Sequence, residues 1–178
     1  MLNAETDALV VAPAMLYDHA SIERALRHRA HALFIDRAAV DGWKVEAYAR
    51  WDSAHPHLAG HFPDMPVVPG VFLIEGAAQA AGLVLASALA GSSADDTMPV
   101  LAGVRSCKFH EMVRPGDIIR FELDVEPVVP GKYFEASGAG YFIDGKKVIN
   151  LQLNVATVLL ADAAAGSRMA RTGSADCD

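Results

Sequence analysis

Cysteine is scarce in this sequence. Only Cys107 and Cys177 occur among 178 residues, so the chain has neither a disulfide framework nor a CxxC metal pair, and a reducing compartment is favoured. The first sixteen residues contain no Lys or Arg, so the positively charged segment that opens a signal peptide is missing. These absences predict a cytoplasmic protein.

Positive charge and aromatic side chains are also limited. The net charge is -7, no Lys/Arg-rich run is present, and aromatic residues make up 7% of the chain. This composition argues against a nucleic-acid-binding protein, which would need basic residues to neutralise phosphates and aromatic residues to stack on bases. The GxSxG pattern of many serine hydrolases is absent as well. What is abundant is apolar sequence, at 52% of residues, which is enough for one globular domain with a real core.

The hydrophobic pattern predicts an α+β domain. The expected elements are a short helix over 22–29, strands over 32–40 and 43–51, a helix over 71–90, and strands over 100–111, 118–128, 133–143 and 147–160. The strands alternate apolar and polar residues, so we expect a curved antiparallel sheet wrapped around the helix, with a second protomer covering what remains. The domain should span 18–160, between an N-terminal extension (1–17) and a flexible C-terminal tail (161–178).

The predicted helix over 71–90 is apolar on all sides. Its length of about 30 Å would also cross a membrane, so a membrane span is an alternative. The helix contains Glu75 and Gln79, is rich in alanine, and lies between strand patterns. These features favour a helix buried in the core of a folded domain.

The segment GHFPDMPVVPGVFLIEGAAQ (60–79) places several reactive side chains where a proline-rich loop enters this helix. Histidine is the natural base near neutral pH, so His61 is a candidate general base. The helix start at Pro69-Gly70 leaves backbone N–H groups unpaired, which suits a carbonyl oxygen that gains negative charge. Because burial raises the pKa of a carboxyl, Glu75 is expected to be protonated near neutrality and to donate a proton.

The same residues also have purely structural interpretations. His61 would then be a hydrogen-bonded histidine of the loop, and Glu75 a buried carboxylate with a partner. Gln79 lies one turn after Glu75 on the same helix face and is expected to orient it in either case.

Two further patterns were weighed. His55, His57 and His61 suggest a zinc site, but Pro56 disturbs the strand that would bring the first two side chains to one face, so no metal is expected. Basic residues around the predicted site suggest a rim for an acidic partner, although scattered charges more often form a solvated surface. These basic residues are Arg27, Arg29, Arg105, Lys108 and Arg114.

Three segments together resemble the 3-hydroxyacyl-(acyl carrier protein) dehydratases of the FabZ type. Residues 60–79 are similar to that family's active-site signature, which is GHFP, a spacer, P, two residues, PGV and an E-A-x-A-Q helix. Upstream, LRHRAHALFIDR resembles the family's LPHRYPFLLVDR segment. Downstream, CKFHEMVRPGDIIRFELDV resembles its F-R-x-x-V-x-PGD-x-L segment. The resemblance runs in order over about residues 20–157.

The resemblance implies a hotdog fold, in which two protomers share one continuous sheet and the active site straddles their interface. It implies that His61 of one subunit removes the C2 proton of a (3R)-3-hydroxyacyl thioester carried by acyl carrier protein. Glu75 of the other subunit would protonate the leaving C3 hydroxyl, and the N–H of Gly70 would hold the thioester carbonyl. The products are a trans-2-enoyl thioester and water, with no metal or free cofactor. The other residues implied to bind substrate are Phe62, Pro69, Val71 and Gln79.

The sequence also departs from the family pattern. FFQGHFP is replaced by HPHLAGHFP, E-A-x-A-Q has Gly76 in place of its first alanine, and the second arginine of F-R-R is His110 or Glu111. The related group that also isomerises the double bond usually has aspartate where this chain has Glu75, so plain dehydration is favoured.

The length of the acyl chain stays open, as does the choice between fatty-acid synthesis and polyketide or polyene synthesis. The alternatives are a hotdog acyl thioesterase, a CoA-linked hydratase, or a catalytically silent acyl-binding subunit of a heterodimer, which would not need both His61 and Glu75.

Overall fold

Residues 14–89 and 97–161 are described by a computed structural model of the chain. Seven antiparallel strands form one sheet, and one long helix lies against it. The strands are β1 (Met15–Tyr17), β2 (Ile35–Asp41), β3 (Lys44–Arg50), β4 (Thr97–Phe109), β5 (Ile118–Val129), β6 (Tyr133–Phe142) and β7 (Lys147–Leu159). The helices are α1 (His19–Ala25), a 3-10 turn (Ala30–Ala32) and α2 (Gly70–Ala88). The predicted α+β hotdog architecture is confirmed.

The strand order is β1-β2-β3-β5-β6-β7-β4, so β1 and β4 are the edges. The predicted alternation holds in β5, where Ile119, Phe121, Leu123 and Val125 are buried and the residues between them are more exposed. The β2–β3 hairpin turns at Asp41-Gly42, where Gly42 has a φ of 56° that favours glycine. One face of the sheet therefore supplies the core, as the period-two pattern predicted.

Helix α2 packs against strands β2 to β7. By length and composition it could cross a membrane, with a mean hydropathy of 1.6 over an 18-residue window, but 56% of that window is buried within the domain. A core helix passes the same test. In the single chain α2 is not covered on all sides, since Val71 is 65% exposed and Glu75 is only half-buried. The sequence pattern predicted that a second protomer would cover what the sheet leaves open.

The segment before β2 differs from the predicted helix over 22–29 and strand over 32–40. Helix α1 ends at Ala25, because Leu26 adopts an extended conformation. The Arg29 guanidinium then donates hydrogen bonds to the carbonyls of Leu26 and His28, both at 2.7 Å, and the chain makes a 3-10 turn before β2. These bonds hold residues 26–29 in a compact turn where the sequence pattern predicted helix.

Strand β1 was not predicted, and its residues fall within the expected N-terminal extension (1–17). It pairs with β2, with Leu16 opposite Ala39. The rest of the extension before residue 14, and the predicted tail except Ala161, lie outside the described residues.

Gly76 makes room for a buried aromatic ring. A methyl group added at Gly76 would lie 3.0 Å from Cε2 and 3.3 Å from Cζ of Phe121, which is fully buried. A methyl group added at Gly140 would lie 3.1 Å from the same ring, so the ring has little freedom to move away. The departure from alanine at position 76 therefore fits the packing of Phe121.

We expect Gly76→Ala to destabilise the protein despite alanine's better helix propensity. Alanine gains about 1 kcal/mol in a helix interior, but overpacking a filled core costs about 1–3 kcal/mol. A net loss of about 1 kcal/mol would lower the Tm by about 2–4 °C, measurable by thermal unfolding. Adding Phe121→Leu should make Gly76→Ala less costly than it is alone; equal costs in both backgrounds would contradict the packing explanation.

Candidate active site

His61 is held by backbone contacts of the proline-rich loop. Its N–H donates to the carbonyl of Leu58 at 3.0 Å, and its own carbonyl accepts from the N–H of Val67 at 2.9 Å. The ring Nδ1 lies 2.8 Å from the Val67 carbonyl oxygen. Because a carbonyl only accepts, this contact requires hydrogen on Nδ1 of the imidazole. In the neutral ring Nε2 then carries the lone pair, which is the arrangement that a general base needs.

Apolar side chains around His61 lie open on the surface of the single chain. The Phe62 ring stacks on the His61 ring with centroids 4.3 Å apart. Phe62 and Met65 are each 52% exposed. Exposed apolar groups beside a reactive histidine are typical of a binding or subunit surface.

The start of α2 lies next to this loop. Pro69 is the N-cap residue and has no side-chain capping bond, and its carbonyl accepts from the N–H of Phe72 at 2.9 Å. The Phe109 ring at the end of β4 packs directly over Gly70, since a methyl group there would lie 2.7 Å from the ring. Gly70 and Val71 thus place the first N–H groups of the helix, which lack intrahelical partners, at a partly open surface.

Glu75 binds two donors through one oxygen. His28 Nε2 lies 3.2 Å from Glu75 Oε1, and Gln79 Nε2 donates to the same oxygen at 2.9 Å. The Glu75 side chain is 36% exposed. Within residues 14–89 and 97–161, Oε2 accepts no hydrogen bond from protein. The carboxyl group is therefore fixed at one end and open at the other.

The pKa of Glu75 differs from the sequence-based expectation. Burial raises this pKa, but the hydrogen bonds from His28 and Gln79 and the charge of His28 lower it more, so that the pKa lies below the usual value. The prediction that burial would keep Glu75 protonated near neutrality is wrong for the single chain, because the sequence did not reveal His28 as a neighbour.

Gln79 is the buried anchor of this arrangement, with 2% of its surface exposed. Its Oε1 accepts from the N–H of Phe34 at 2.8 Å, while Nε2 donates to the Ala32 carbonyl at 2.7 Å as well as to Glu75. Both amide hydrogens are thus used. The prediction that Gln79 orients Glu75 fits these contacts.

A cavity of about 450 Å³ opens beside Glu75. Its lining includes the apolar residues Gly82, Met98 and Val155. His61 is not among the lining residues. Within the single chain the predicted acid therefore lines this cavity and the predicted base does not.

His28 is the site residue that the sequence reasoning did not single out. The signal that pointed to it was the LRHR segment, which matched the family pattern but carried no assigned role. The three histidines weighed as a zinc site do not form one: the described parts of the chain contain no group of three His, Cys, Asp or Glu side chains able to hold a metal ion. Of the predicted basic rim, Arg27 and Arg29 line the cavity, whereas Arg105 pairs with Glu135.

Comparison with known proteins shows the family to which the chain belongs. Residues 26–152, more than half of the chain, match the family model described as a FabA-like domain. The chain is 32% identical over 140 residues to the 3-hydroxyacyl-(acyl-carrier-protein) dehydratase FabZ of a Nitratiruptor species, covering 76% of this chain and 89% of that protein. It is 34% identical over 133 residues to the FabZ dehydratase of Halorhodospira halophila, covering 72% and 84%.

Solved structures share the fold at lower identity. The dehydratase heterocomplex ApeI:P from Xenorhabdus doucetiae aligns with a TM-score of 0.67 at 17% identity, over 83% of this chain and 97% of the matched chain. A point mutant of the fluoroacetyl-CoA-specific thioesterase FlK aligns with a TM-score of 0.54 at 13% identity, over 70% and 92%. The fold thus occurs both in a dehydratase complex and in a thioesterase. The two sequence relatives, by contrast, are both FabZ dehydratases. By the domain match and these relatives, the chain belongs to the FabZ family of dehydratases, which are hydro-lyases with the hotdog fold.

Proposed function

We propose that this protein dehydrates (3R)-3-hydroxyacyl groups on acyl carrier protein to trans-2-enoyl groups, with His61 as base and Glu75 as acid. The observation that carries the proposal is that each of the two side chains is held by hydrogen bonds at one atom and leaves its other polar atom open. His61 is held at Nδ1, with Nε2 available to accept a proton. Glu75 is held at Oε1, which leaves Oε2 open to take up the proton that the reaction would use.

The chemistry follows from these two atoms. His61 Nε2 takes the C2 proton, and the electrons move to form the C2–C3 double bond as the C3–O bond breaks. Glu75 delivers a proton to the departing hydroxyl, which leaves as water. Negative charge develops on the thioester oxygen, and the N–H of Gly70 at the start of α2 is the donor that would stabilise it. Afterwards His61 returns its proton to solvent and Glu75 regains one, so the cycle balances without a metal or free cofactor.

A complete site requires two copies of the chain in this proposal. Strand β4 is a sheet edge with exposed apolar side chains, including Leu101 at 38% and Val104 at 44%. An open edge of this kind pairs readily with another strand. Pairing two β4 edges would continue the sheet across the dimer and bring the His61 loop of one copy towards the Glu75 cavity of the other.

The proposed partner is acyl carrier protein, whose phosphopantetheine arm would carry the thioester, in the cytoplasm. Phe62, Pro69 and Val71 lie beside His61 and the helix start, where the thioester end of the substrate would bind. The apolar residues that line the cavity next to Glu75 suit the acyl chain. Fatty-acid synthesis is the pathway that the family suggests, and a polyketide or polyene pathway would use the same chemistry.

The test is intact-mass spectrometry of 3-hydroxyacyl carrier proteins with short and long acyl chains, incubated with the purified full-length protein. Loss of one water mass from the acyl carrier protein is the expected result. Release of free carrier protein would instead identify a thioesterase. Reaction with the CoA thioester alone would identify a CoA-linked hydratase. No mass change at any chain length would indicate a silent subunit or a missing partner.

A further inference from the structure

His28 contacts the candidate acid but not the candidate base, and neither the family match nor the chemistry above assigns it a role. Its Nε2 lies 3.2 Å from Glu75 Oε1. Its Nδ1 is buried and has no hydrogen-bond partner in the described portion of the chain. The ring can therefore act only through Nε2. Since an ionised carboxylate only accepts hydrogen bonds, Nε2 must carry the hydrogen of this contact.

The position of the His28 ring is fixed by its surroundings. Leu26, two residues earlier, is 2% exposed and caps α1. The Arg29 guanidinium donates hydrogen bonds to the backbone carbonyls of Leu26 and His28 and so restrains this part of the chain. The His28 side chain is 35% exposed, and His28 lines the cavity beside Glu75.

The two donors to Glu75 converge on the same atom. His28 and Gln79 both bond Oε1. A proton on Oε1 would take one of the two lone-pair positions that accept these bonds, whereas a proton on Oε2 leaves both bonds in place. The protonated form of Glu75 is therefore expected to carry its hydrogen on Oε2, which accepts no hydrogen bond from the described residues.

We propose that His28 is a positioning residue for the dehydration reaction: its Nε2–H, with the amide of Gln79, holds Oε1 of Glu75 so that the transferable proton lies on Oε2. This inference rests on the proposed function. In each cycle the Oε2–H bond breaks as the proton joins the leaving hydroxyl, and the resulting carboxylate is stabilised by the same two donors until it takes a proton from water. His28 itself transfers nothing and contacts the reaction only through Glu75.

Few charged side chains line the cavity beside Glu75, so the effect of removing His28 on the pKa of Glu75 can be tested directly. The cavity residues from the segment after α1 include the basic side chains Arg27, His28 and Arg29, whereas β4 and β7 contribute only apolar residues. The lowered pKa of Glu75 arises from His28 and Gln79. Removing His28 should therefore raise the pKa of Glu75, and replacing it with a neutral donor should raise it less.

The experiment compares His28→Phe, which cannot donate, with His28→Gln, which keeps a donor without a charge. His19→Gln is the matched control, because His19 also pairs with a glutamate, Glu23 at 3.9 Å, but on an exposed surface. The titration of Glu75 is followed by NMR of ¹³C-labelled glutamate side chains, assigned with Glu75→Gln. Steady-state kcat and KM are measured from about pH 3.5 to pH 9, which spans the ordinary carboxyl and histidine ranges, and thermal unfolding reports on the fold.

We expect His28→Phe to move the Glu75 midpoint to higher pH and to lower kcat by about 10- to 100-fold with KM much less affected. His28→Gln should lie between this variant and wild type, and His19→Gln should match wild type.

An unchanged Glu75 midpoint in His28→Phe would overturn the inference, as would a moved midpoint with unchanged kcat. Equal losses in His28→Phe and His28→Gln with no change of midpoint would show a merely structural role. If the wild-type protein dehydrates no substrate, the proposed function fails, but the NMR titration still decides whether His28 and Glu75 are coupled. The two failures are therefore distinguishable.

Discussion

Glu75→Gln should lower kcat for dehydration by about 10²- to 10⁴-fold, the range associated with loss of a general acid. The substitution replaces the carboxyl with an amide of the same shape. Its amide oxygen can still accept from His28 and Gln79, so the network around Oε1 is retained while the acidic proton is lost. The measurement is the initial rate of water loss from a 3-hydroxyacyl carrier protein, read by mass spectrometry or by absorbance of the enoyl thioester.

Two companion variants make this result interpretable. His61→Ala removes the base and should cost a similar factor, without touching Glu75. Glu126→Gln is a matched surface control, because Glu126 is an exposed glutamate of β5, and it should keep wild-type kcat. A Glu75→Gln variant with near wild-type kcat and an unchanged Tm would rule out Glu75 as the acid.

Two inactive variants should restore activity when they form one dimer. If each site takes His61 from one subunit and Glu75 from the other, a heterodimer of His61→Ala and Glu75→Gln chains has one complete site and one with neither residue. Its specific activity should be about half that of wild type, against almost none for either homodimer. The heterodimer is obtained by co-expression with two different tags and two affinity steps, then assayed as above.

A second heterodimer serves as the control, and its expected activity is the reverse of that of the first. A heterodimer of wild type with a chain carrying both substitutions has each site broken once if sites are shared, and it should be nearly inactive. If each site lay within one chain, this heterodimer would keep about half of the activity and the first would keep none. The pair of measurements therefore assigns the two residues to one chain or to two, whichever result is found.

Much of the fold is local enough to be predicted from sequence. The alternation in β5 and the Asp41-Gly42 turn follow from rules that involve neighbouring residues, and the structure agrees with both. The helix start at Gly70 was also placed within one residue of its observed position. In each case the deciding interaction lies within a few residues along the chain.

The details that were missed depend on contacts between distant segments. The pKa of Glu75 was predicted in the wrong direction because its direction is set by His28, which lies far away in sequence and meets Glu75 only after α1 ends at Ala25. That early end is accompanied by the backbone bonds that Arg29 makes. The packing of Phe109 over Gly70 likewise joins the end of β4 to the start of α2. No periodicity carries information of this kind.

Gln79 has a consequence for how the protein fails when it is heated or mutated. Because one buried amide joins the 32–34 segment to Glu75, a local opening of that segment would release the carboxyl from its orientation while the sheet stays folded. The rate of turnover should then fall as the free energy of local opening of residues 32–34 becomes smaller. A substitution near Phe34 that never meets substrate can therefore reduce turnover, in proportion to the fraction of molecules in which this corner is open.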